Sequence, residues 1–232
     1  MKNIITYGLS LGLLVLLGCR DESLSPMPGW ESGVHGFGVF ADIAEPKDGA
    51  GSRPNAVANA VNFPLTNQSA AKENLKLRWV SLDNKLTVNK VEVFVNMIES
   101  YNDPDGNPKT ASLGAKLVKT INPALGNREW STFSITPDDV YTLFKDATVK
   151  YDGTNAVKVF ENSARPRVAG QRLLGAGTVN KLAVSADQFV MTWKLYTTDG
   201  AVFSVWNSDS ICGDPTPYSQ AAANCNLSWT VK

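Results

Sequence analysis

The sequence predicts an all-β fold with one short helix, on three observations. Several runs after residue 33 alternate apolar and polar residues, turn signals separate these runs, and helical spacing of apolar residues stands out in one short segment. Each alternating strand has one face to bury, and two antiparallel sheets packed face to face bury them all. The expected architecture is an antiparallel, immunoglobulin-like β-sandwich.

The first strands follow from a period of two. Val91, Val93 and Val95 occupy alternate positions on one face, whereas Glu92 and Asn96 lie on the other. This pattern is typical of a strand with one buried face. The strands predicted in this part of the chain are 34–40, which is the weakest, 75–80, 88–98, 116–121 and 130–135.

A helix is predicted to begin after Thr136. Thr136 is a good N-cap, Pro137 suits the first helical position, and Asp138 and Asp139 complement the positive end of the helix dipole. We expect about three turns that cover one end of the sandwich. The apolar stripe at helical spacing consists of Val140, Leu143, Phe144 and Ala147.

The last third contains the clearest hairpin. Asp199 and Gly200 separate the alternating runs 189–196 and 201–206, and this dipeptide favours a type I′ turn. A last strand is expected at 226–231.

The type I′ turn would set the register of this hairpin. Trp193 would lie opposite Trp206, and Tyr196 opposite Phe203. The other face is also rather apolar, so a second element or a partner is expected to cover it. The inward face would consist of Phe189, Met191, Trp193, Leu195, Val202 and Trp206.

Composition bounds the organisation and the partners. The chain has 232 residues, of which 43% are hydrophobic, and no formal net charge at pH 7. It can form one elaborated or two packed immunoglobulin-like domains over 34–232, with a boundary allowed within 148–183, where the strand pattern is weakest. Without a basic excess, neither nucleic acid nor an anionic membrane surface is a favoured partner.

The first residues indicate export and anchoring. Lys2 precedes an apolar stretch that ends in Leu-Leu-Gly-Cys at 16–19 and is too short to span a bilayer comfortably. This ending resembles the bacterial lipobox, which implies a signal peptide over 1–18 and cleavage before an acylated Cys19. Residues 19–33 would then form a flexible tether. The alternative is an ordinary secretory peptide.

Arg20, Asp21 and Glu22 follow the predicted lipidation site. A basic residue and two acids at this place resemble the surface-export signal of Bacteroidota lipoproteins, which implies an outer-membrane protein that faces the cell exterior. The alternative is a solvated tether of charged residues.

Cys212 and Cys225 are the other two cysteines of the chain. An exported chain reaches an oxidising compartment, so a disulfide between them is expected. A metal site would need more soft ligands, and the single histidine, His35, is distant in sequence.

The order of these elements resembles a known group of proteins. It runs from the strand 90–95 through the strand 133–136 and the helix to an apolar strand, Asp199-Gly200 and the strand 202–204. Together with the lipobox, this order resembles the SusE-like accessory lipoproteins of Bacteroidota starch-utilisation-type uptake systems. The resemblance implies a surface-exposed, non-enzymatic protein beside a TonB-dependent transporter and a substrate-binding lipoprotein.

Asp103, Asp105 and Asn107 alternate in a short polar run. Oxygen ligands alternate in this way in calcium loops, although the run lacks the distal glutamate of an EF-hand. The alternative is a hairpin tip, because Gly106 and the neighbouring prolines favour a polar turn.

Three of the six tryptophans are candidates for stacking on sugar rings. Trp30 lies in the tether, and Trp130 and Trp206 lie near strand ends, whereas Trp79 and Trp193 fit core positions. An aromatic side chain is more often part of the core than a binding platform.

Catalysis finds little support in the sequence. A catalytic triad would depend entirely on His35, and the metalloprotease, Walker and dinucleotide-binding motifs are absent. We therefore expect a non-enzymatic surface lipoprotein that helps to capture a glycan or another nutrient and, apart from the calcium hypothesis, uses no cofactor. The alternative is a structural lipoprotein that docks through the apolar hairpin face. A surface hydrolase with paired carboxylates ranks last.

Overall fold

The structure is a computed structural model that describes residues 33–42, 62–81, 84–163, 165–167, 171–179, 181–204 and 226–232. The predictions for the signal peptide and for most of the tether lie outside these residues and stay predictions. The same holds for those that concern Cys19, Arg20, Asp21, Glu22, Trp30, Trp206, Cys212 and Cys225.

Antiparallel strands dominate the described residues, together with one α-helix, α1, at Pro137–Phe144. The predicted all-β class is confirmed. Short 3-10 turns lie at Gln68–Ala70 and Val159–Glu161. The strands are β1 (His35–Phe40), β2 (Glu73–Val80), β3 (Val88–Asn102), β4 (Pro108–Ile121), β5 (Ser131–Ile135), β6 (Thr148–Val149), β7 (Val157–Lys158), β8 (Gly177–Val179), β9 (Leu182–Val184), β10 (Gln188–Thr197), β11 (Val202–Ser204) and β12 (Leu227–Thr230).

Two sheets form the sandwich. One has the strand order β1-β2-β5, and the other has the order β4-β3-β10, with β11 and β12 along the far side of β10. All of these pairings are antiparallel, as expected for a β-sandwich of this class. β11 and β12 pair with opposite halves of β10, so they occupy one strand position in two pieces.

Inward-facing residues of the two sheets meet in one core. Leu75 of β2 and Val93 of β3 represent the buried rows, and neither is accessible to solvent. The region 148–183, where the sequence allows a domain boundary, contributes Val159 and Leu173 to the same core. Most buried hydrophobic residues of the described chain therefore belong to one cluster, and Val39, Val80 and Val184 are the exceptions.

Helix α1 begins as predicted. The Thr136 hydroxyl accepts a hydrogen bond from the Asp139 backbone N–H at 3.1 Å, and the Asp139 carboxylate accepts one from the Thr136 backbone N–H at 2.8 Å. This is a capping box. The prediction of three turns was wrong, because the helix ends after 8 residues. Ala147 lies beyond its end, where β6 leaves to pair with β7.

The hairpin turn differs from the prediction. The Thr197 carbonyl accepts a hydrogen bond from the Gly200 N–H at 3.0 Å, and the Thr197 N–H donates to the Ala201 carbonyl at 3.0 Å. Of Asp199 and Gly200, only Gly200 has a positive φ, +91°. The loop therefore has three residues, a type I turn followed by a left-handed glycine, and is not a type I′ turn.

The longer loop shifts the hairpin register by one residue. Leu195 lies opposite Phe203 and Tyr196 opposite Val202, so the predicted pairing of Tyr196 with Phe203 was wrong. A shift of one residue exchanges the two faces of a strand. Phe203 consequently packs against the core, whereas Val202 is 44% exposed. The inward row predicted for β10 is confirmed at Phe189, Met191, Trp193 and Leu195.

Candidate functional site

A groove of about 350 Å³ lies where β3 ends and β10 begins. Its volume falls within the range of small-molecule sites. The β3–β4 hairpin, the turn at 151–155 and the β8–β9 hairpin surround it. Its aromatic and polar lining includes Tyr101, Asn102, Asp103, Tyr151, Asp152 and Arg165.

β3 forms one wall of the groove, because its row of inward-facing residues continues beyond the apolar ones. The alternation that buries Val95 and Met97 reaches Glu99, which is completely buried, and then Tyr101, which is half-buried and lines the groove. Period two therefore places an acid and then an aromatic ring on the face that begins as the core.

A second acid lies beside Glu99. β3 and β10 pair through Ile98 and Gln188, so the adjacent position brings Asp187 next to Glu99. Neither residue is accessible to solvent. Burial is the main reason why the pKa values of both carboxyl groups are raised. Like charges at facing positions destabilise a sheet, so this pair requires compensating cations.

Two arginines compensate these acids. Arg165 Nη1 lies 2.8 Å from Asp187 Oδ1, and Arg167 Nη1 lies 3.3 Å from Glu99 Oε1. Arg167 Nη2 also lies 3.4 Å from Asp187 Oδ2. The arginine side chains are each 5% exposed. We refer to Glu99, Arg165, Arg167 and Asp187 as the buried ion network, whose formal charge is zero.

The network connects the loops around the groove to the sheet. Besides Asp187, Arg165 donates to the backbone carbonyls of Ser100 at 2.6 Å, Ser185 at 2.8 Å and Gly175 at 3.4 Å. A guanidinium with this many acceptors is well satisfied, which is what burial of a cation requires.

Tyr151 is hydrogen-bonded to the buried ion network. Its hydroxyl donates a short hydrogen bond to Glu99 Oε2. Burial is the largest cause of the raised pKa of Tyr151, and the Glu99 carboxylate raises it further, so the phenol stays protonated. The Tyr151 ring meets the Tyr101 ring edge to face, with centroids 5.0 Å apart and planes at 86°.

The turn after Tyr151 holds a carboxylate at the groove. Asp152 Oδ1 accepts backbone hydrogen bonds from Thr154 at 2.8 Å and Asn155 at 2.7 Å, and Oδ2 accepts the Asn155 side-chain amide at 2.7 Å. These bonds, the Asn155 N–H first, lower the pKa of Asp152 to about 2. The group is therefore ionised at neutral pH.

Asp103 plays a similar part in the β3–β4 hairpin. Asp103 Oδ1 accepts the Asn107 N–H at 2.7 Å, and this bond is the main reason why the pKa of Asp103 is lowered. The run that includes Asp105 thus forms the tip joining β3 to β4, and Asp103 and Asn107 bond to each other. Among the residues that the structure describes, no three His, Cys, Asp or Glu side chains come together as a metal-binding group.

The β8–β9 hairpin supplies the apolar side of the groove. Leu182 and Val184 line it, and the Leu182 side chain lies against Gly106 of the opposite hairpin. Leu182 is 40% exposed. The groove therefore combines aromatic edges, an apolar side and a rim of amides and carboxylates.

Trp130 does not line this groove. It lies on the outer face of the β1-β2-β5 sheet, where the Arg78 guanidinium stacks 4.4 Å from its ring centroid and 5.7 Å from that of Phe37. His35 is buried at the start of β1 and also lies outside the lining.

The outer face of β10 carries charge. Lys194 lies 5.2 Å from the Phe94 ring centroid, and Lys90 lies 3.7 Å from that of Tyr196. The Tyr196 hydroxyl donates to Glu92 at 2.6 Å. The docking alternative predicts a flat apolar face on this side of β10. The face instead combines cations and an acid with aromatic rings.

The carboxyl groups in the groove and those beneath it have pKa values shifted in opposite directions. Asp103 and Asp152 have lowered pKa values, whereas a general acid in glycoside hydrolysis needs a raised one. Glu99 and Asp187 have raised pKa values but lie beneath the groove, with Glu99 covered by Tyr151.

Sequence reasoning singled out Asp103 of this site, as a candidate calcium ligand, but missed the tyrosines and the other residues that form it. Tyr101 could have been found, because extending the inward row of β3 past Met97 reaches it directly. Tyr151, Asn162 and Arg165 lie in a region without a strand pattern, and no sequence signal brings them together.

No protein-family model matches this chain, and no curated protein matches its sequence. Within the described part of the chain, no helix has the length and apolar character needed to cross a bilayer.

Proposed function

We propose that this protein is a lipid-anchored component of the outer-membrane surface that binds a short segment of a glycan in its groove, without chemical conversion. The anchor is Cys19, and Arg20, Asp21 and Glu22 direct the protein to the cell exterior. The groove would hold the glycan near an uptake complex. By the resemblance described above, that complex contains a TonB-dependent transporter and a substrate-binding lipoprotein.

The observation that carries the proposal is the pair of tyrosines in the groove. Sugars present apolar C–H faces and a belt of hydroxyls, so their sites combine aromatic surfaces with convergent polar groups. Tyr101 and Tyr151 supply the aromatic surfaces, and Asn102, Asp103 and Asp152 supply polar atoms around them. The chemical composition of the groove therefore suits a sugar.

The support beneath the groove adds to this argument. The Tyr151 hydroxyl is held by Glu99, and Glu99 is held by Arg167. A side chain fixed before the ligand arrives loses little conformational entropy on binding. This matters for a weak, reversible capture site, because there is little interaction free energy to offset such a loss.

Affinity electrophoresis tests the binding site. The protein without its signal peptide is run in native gels that contain individual plant or host polysaccharides. We expect at least one polysaccharide to retard it, and Tyr101→Ala to abolish the retardation. Tyr196→Ala is the matched control, because Tyr196 is also half-buried but lies on the outer face of β10. Retardation by no polysaccharide, or equal retardation of both variants, would contradict the proposal.

The anchor has a separate test. Mass spectrometry of the protein from its native membrane should show an acylated Cys19, and Cys19→Ala should release the protein from the membrane. Alanine at 20, 21 and 22 should retain the lipid but protect the protein from protease added to intact cells. An unmodified Cys19 would end the anchoring proposal while leaving the groove proposal intact.

A further inference from the structure

The carboxylates and the cations around the groove differ in how readily they can contact a ligand. Its described lining residues include two carboxylates, Asp103 and Asp152, and one cation, Arg165. Both carboxylates are ionised at neutral pH, since hydrogen bonds within their own turns lower their pKa values. The ligand therefore meets negative charge at the rim.

The cations nearby are already engaged. Arg165 is 5% exposed and directs its N–H groups to Asp187 and to the carbonyls of Ser100 and Ser185. Lys109 is the ion-pair partner of Asp103, at 3.8 Å. An anionic ligand would compete with Asp103 for Lys109, and drawing Arg165 away would leave Asp187 buried without its closest partner.

The two carboxylates are well placed to accept hydrogen bonds. An ionised carboxylate has about four lone-pair sites. The turn of Asp152 uses three of them, through Thr154 and Asn155. The remaining lone-pair site of Asp152 can accept a hydrogen bond from a sugar hydroxyl. The turn already holds this carboxylate rigid.

From this arrangement we infer that the groove selects uncharged sugars and rejects acidic ones such as uronic acids. This inference rests on the proposed function and specifies its ligand class. Hydroxyl groups donate to Asp103 and Asp152, whereas a sugar carboxylate at the same place would be repelled by both. Tyr101 and Tyr151 bind the C–H faces that neutral and acidic sugars share, so the rim charges make the distinction.

The test compares each sugar with its own acidic form. Neutral glucose, galactose and mannose oligosaccharides are titrated by calorimetry, and those that bind are tested again after oxidation of their primary hydroxyls to carboxylates. We expect the oxidised form to bind at least about tenfold more weakly than the neutral form at low ionic strength. This difference in affinity, the gap, should narrow as salt is added.

Two variants decide whether the rim charges cause the gap. Asp103→Asn with Asp152→Asn keeps an oxygen acceptor in each turn and should narrow the gap to within about threefold, on the scale of one surface charge interaction. Asp146→Asn, at an exposed ion pair with Lys158 outside the groove, should leave the gap unchanged. Circular dichroism confirms folding, and the salt dependence of the wild-type protein provides a second measurement.

The outcomes are distinct. If no oligosaccharide of either kind binds, the proposed function fails. If oxidised forms bind as well as neutral ones and Tyr101→Ala abolishes both, the groove binds glycans but the inference on charge is wrong. A gap that persists in the double Asn variant and in high salt also overturns the inference, since it would then reflect loss of the hydroxyl alone.

Discussion

Arg165 and Asp187 form an ion pair of 2.8 Å in which the two side chains are 5% and 0% exposed. The pair exists because two adjacent strands each place an acid on their inward face, Glu99 on β3 and Asp187 beside the start of β10. The network that neutralises them also supports Tyr151 in the groove. The stability of this end of the sandwich and the shape of the candidate site therefore depend on the same residues.

Removing one cation of the network should be costly. We expect Arg165→Met to lower the free energy of unfolding by about 3 to 5 kcal/mol, because it leaves Asp187 buried without its closest partner. Urea unfolding measures the change. Arg172→Met is the matched control, since its ion pair with Asp138 has side chains 47% and 58% exposed and should contribute less than about 1 kcal/mol. Equal stability of the two variants would show that the network does not support the fold.

A buried acid in the other sheet should make stability depend on pH. Glu73 is 1% exposed, its Oε2 meets no hydrogen-bond donor among the described residues, and burial and then Asp42 raise its pKa from 4.5 to about 8. Between these values the unfolded chain has lost the proton that the folded chain keeps. The free energy of unfolding should therefore fall as pH rises, by up to about 1.4 kcal/mol per pH unit.

Glu73→Gln isolates this effect. Glutamine keeps the side chain uncharged at every pH, so the variant should gain stability over the wild-type protein as pH rises from 4.5 towards 8. Asp42→Asn, which removes only the smaller cause, should reproduce a small part of the gain. Urea unfolding across this pH interval measures the difference. A constant difference between Glu73→Gln and wild type would contradict the raised pKa.

The turn in the β10–β11 hairpin can be tested by comparing its glycine, Gly200, with Gly177 of β8. An added Cβ would touch nothing within 4 Å at either Gly200 or Gly177, but only Gly200 has a positive φ. We expect Gly200→Ala to lower the free energy of unfolding by about 1 to 2 kcal/mol, because L-residues are strained in this region. Gly177→Ala should be neutral or slightly stabilising. Thermal unfolding compares them, and equal effects would mean that the loop can adopt another turn.

The contact between the sheets should tolerate no side chain at Gly36. A Cβ there would lie 2.1 Å from Trp193 Nε1. We expect Gly36→Ala to destabilise the protein by about 1 to 3 kcal/mol through overpacking. Trp193→Leu should cost less in the Gly36→Ala background than alone, since it removes the clash. A double-mutant cycle with purely additive effects would argue against this contact.

Sequence periodicity predicted the strands most completely where one face of the strand is buried. The inward rows of β3 and β10 are as predicted because each alternates between core and the outer face. β4 was predicted only at 116–121, whereas it spans Pro108–Ile121. None of its residues is fully buried, so burial imposes only a weak alternation on this strand.

The sequence alone determined the all-β class, the rows that form the core, and the capped start of the helix, since each depends on residues that are neighbours along the chain. Only the tertiary structure decided the hairpin register, the meeting of Glu99 with Asp187, and the enclosure of Tyr101 by Tyr151 and Arg165. These relationships join residues that are distant in sequence or depend on one loop residue. The physical reason is that burial imposes a repeating pattern on one strand, whereas contacts between strands and loops impose none.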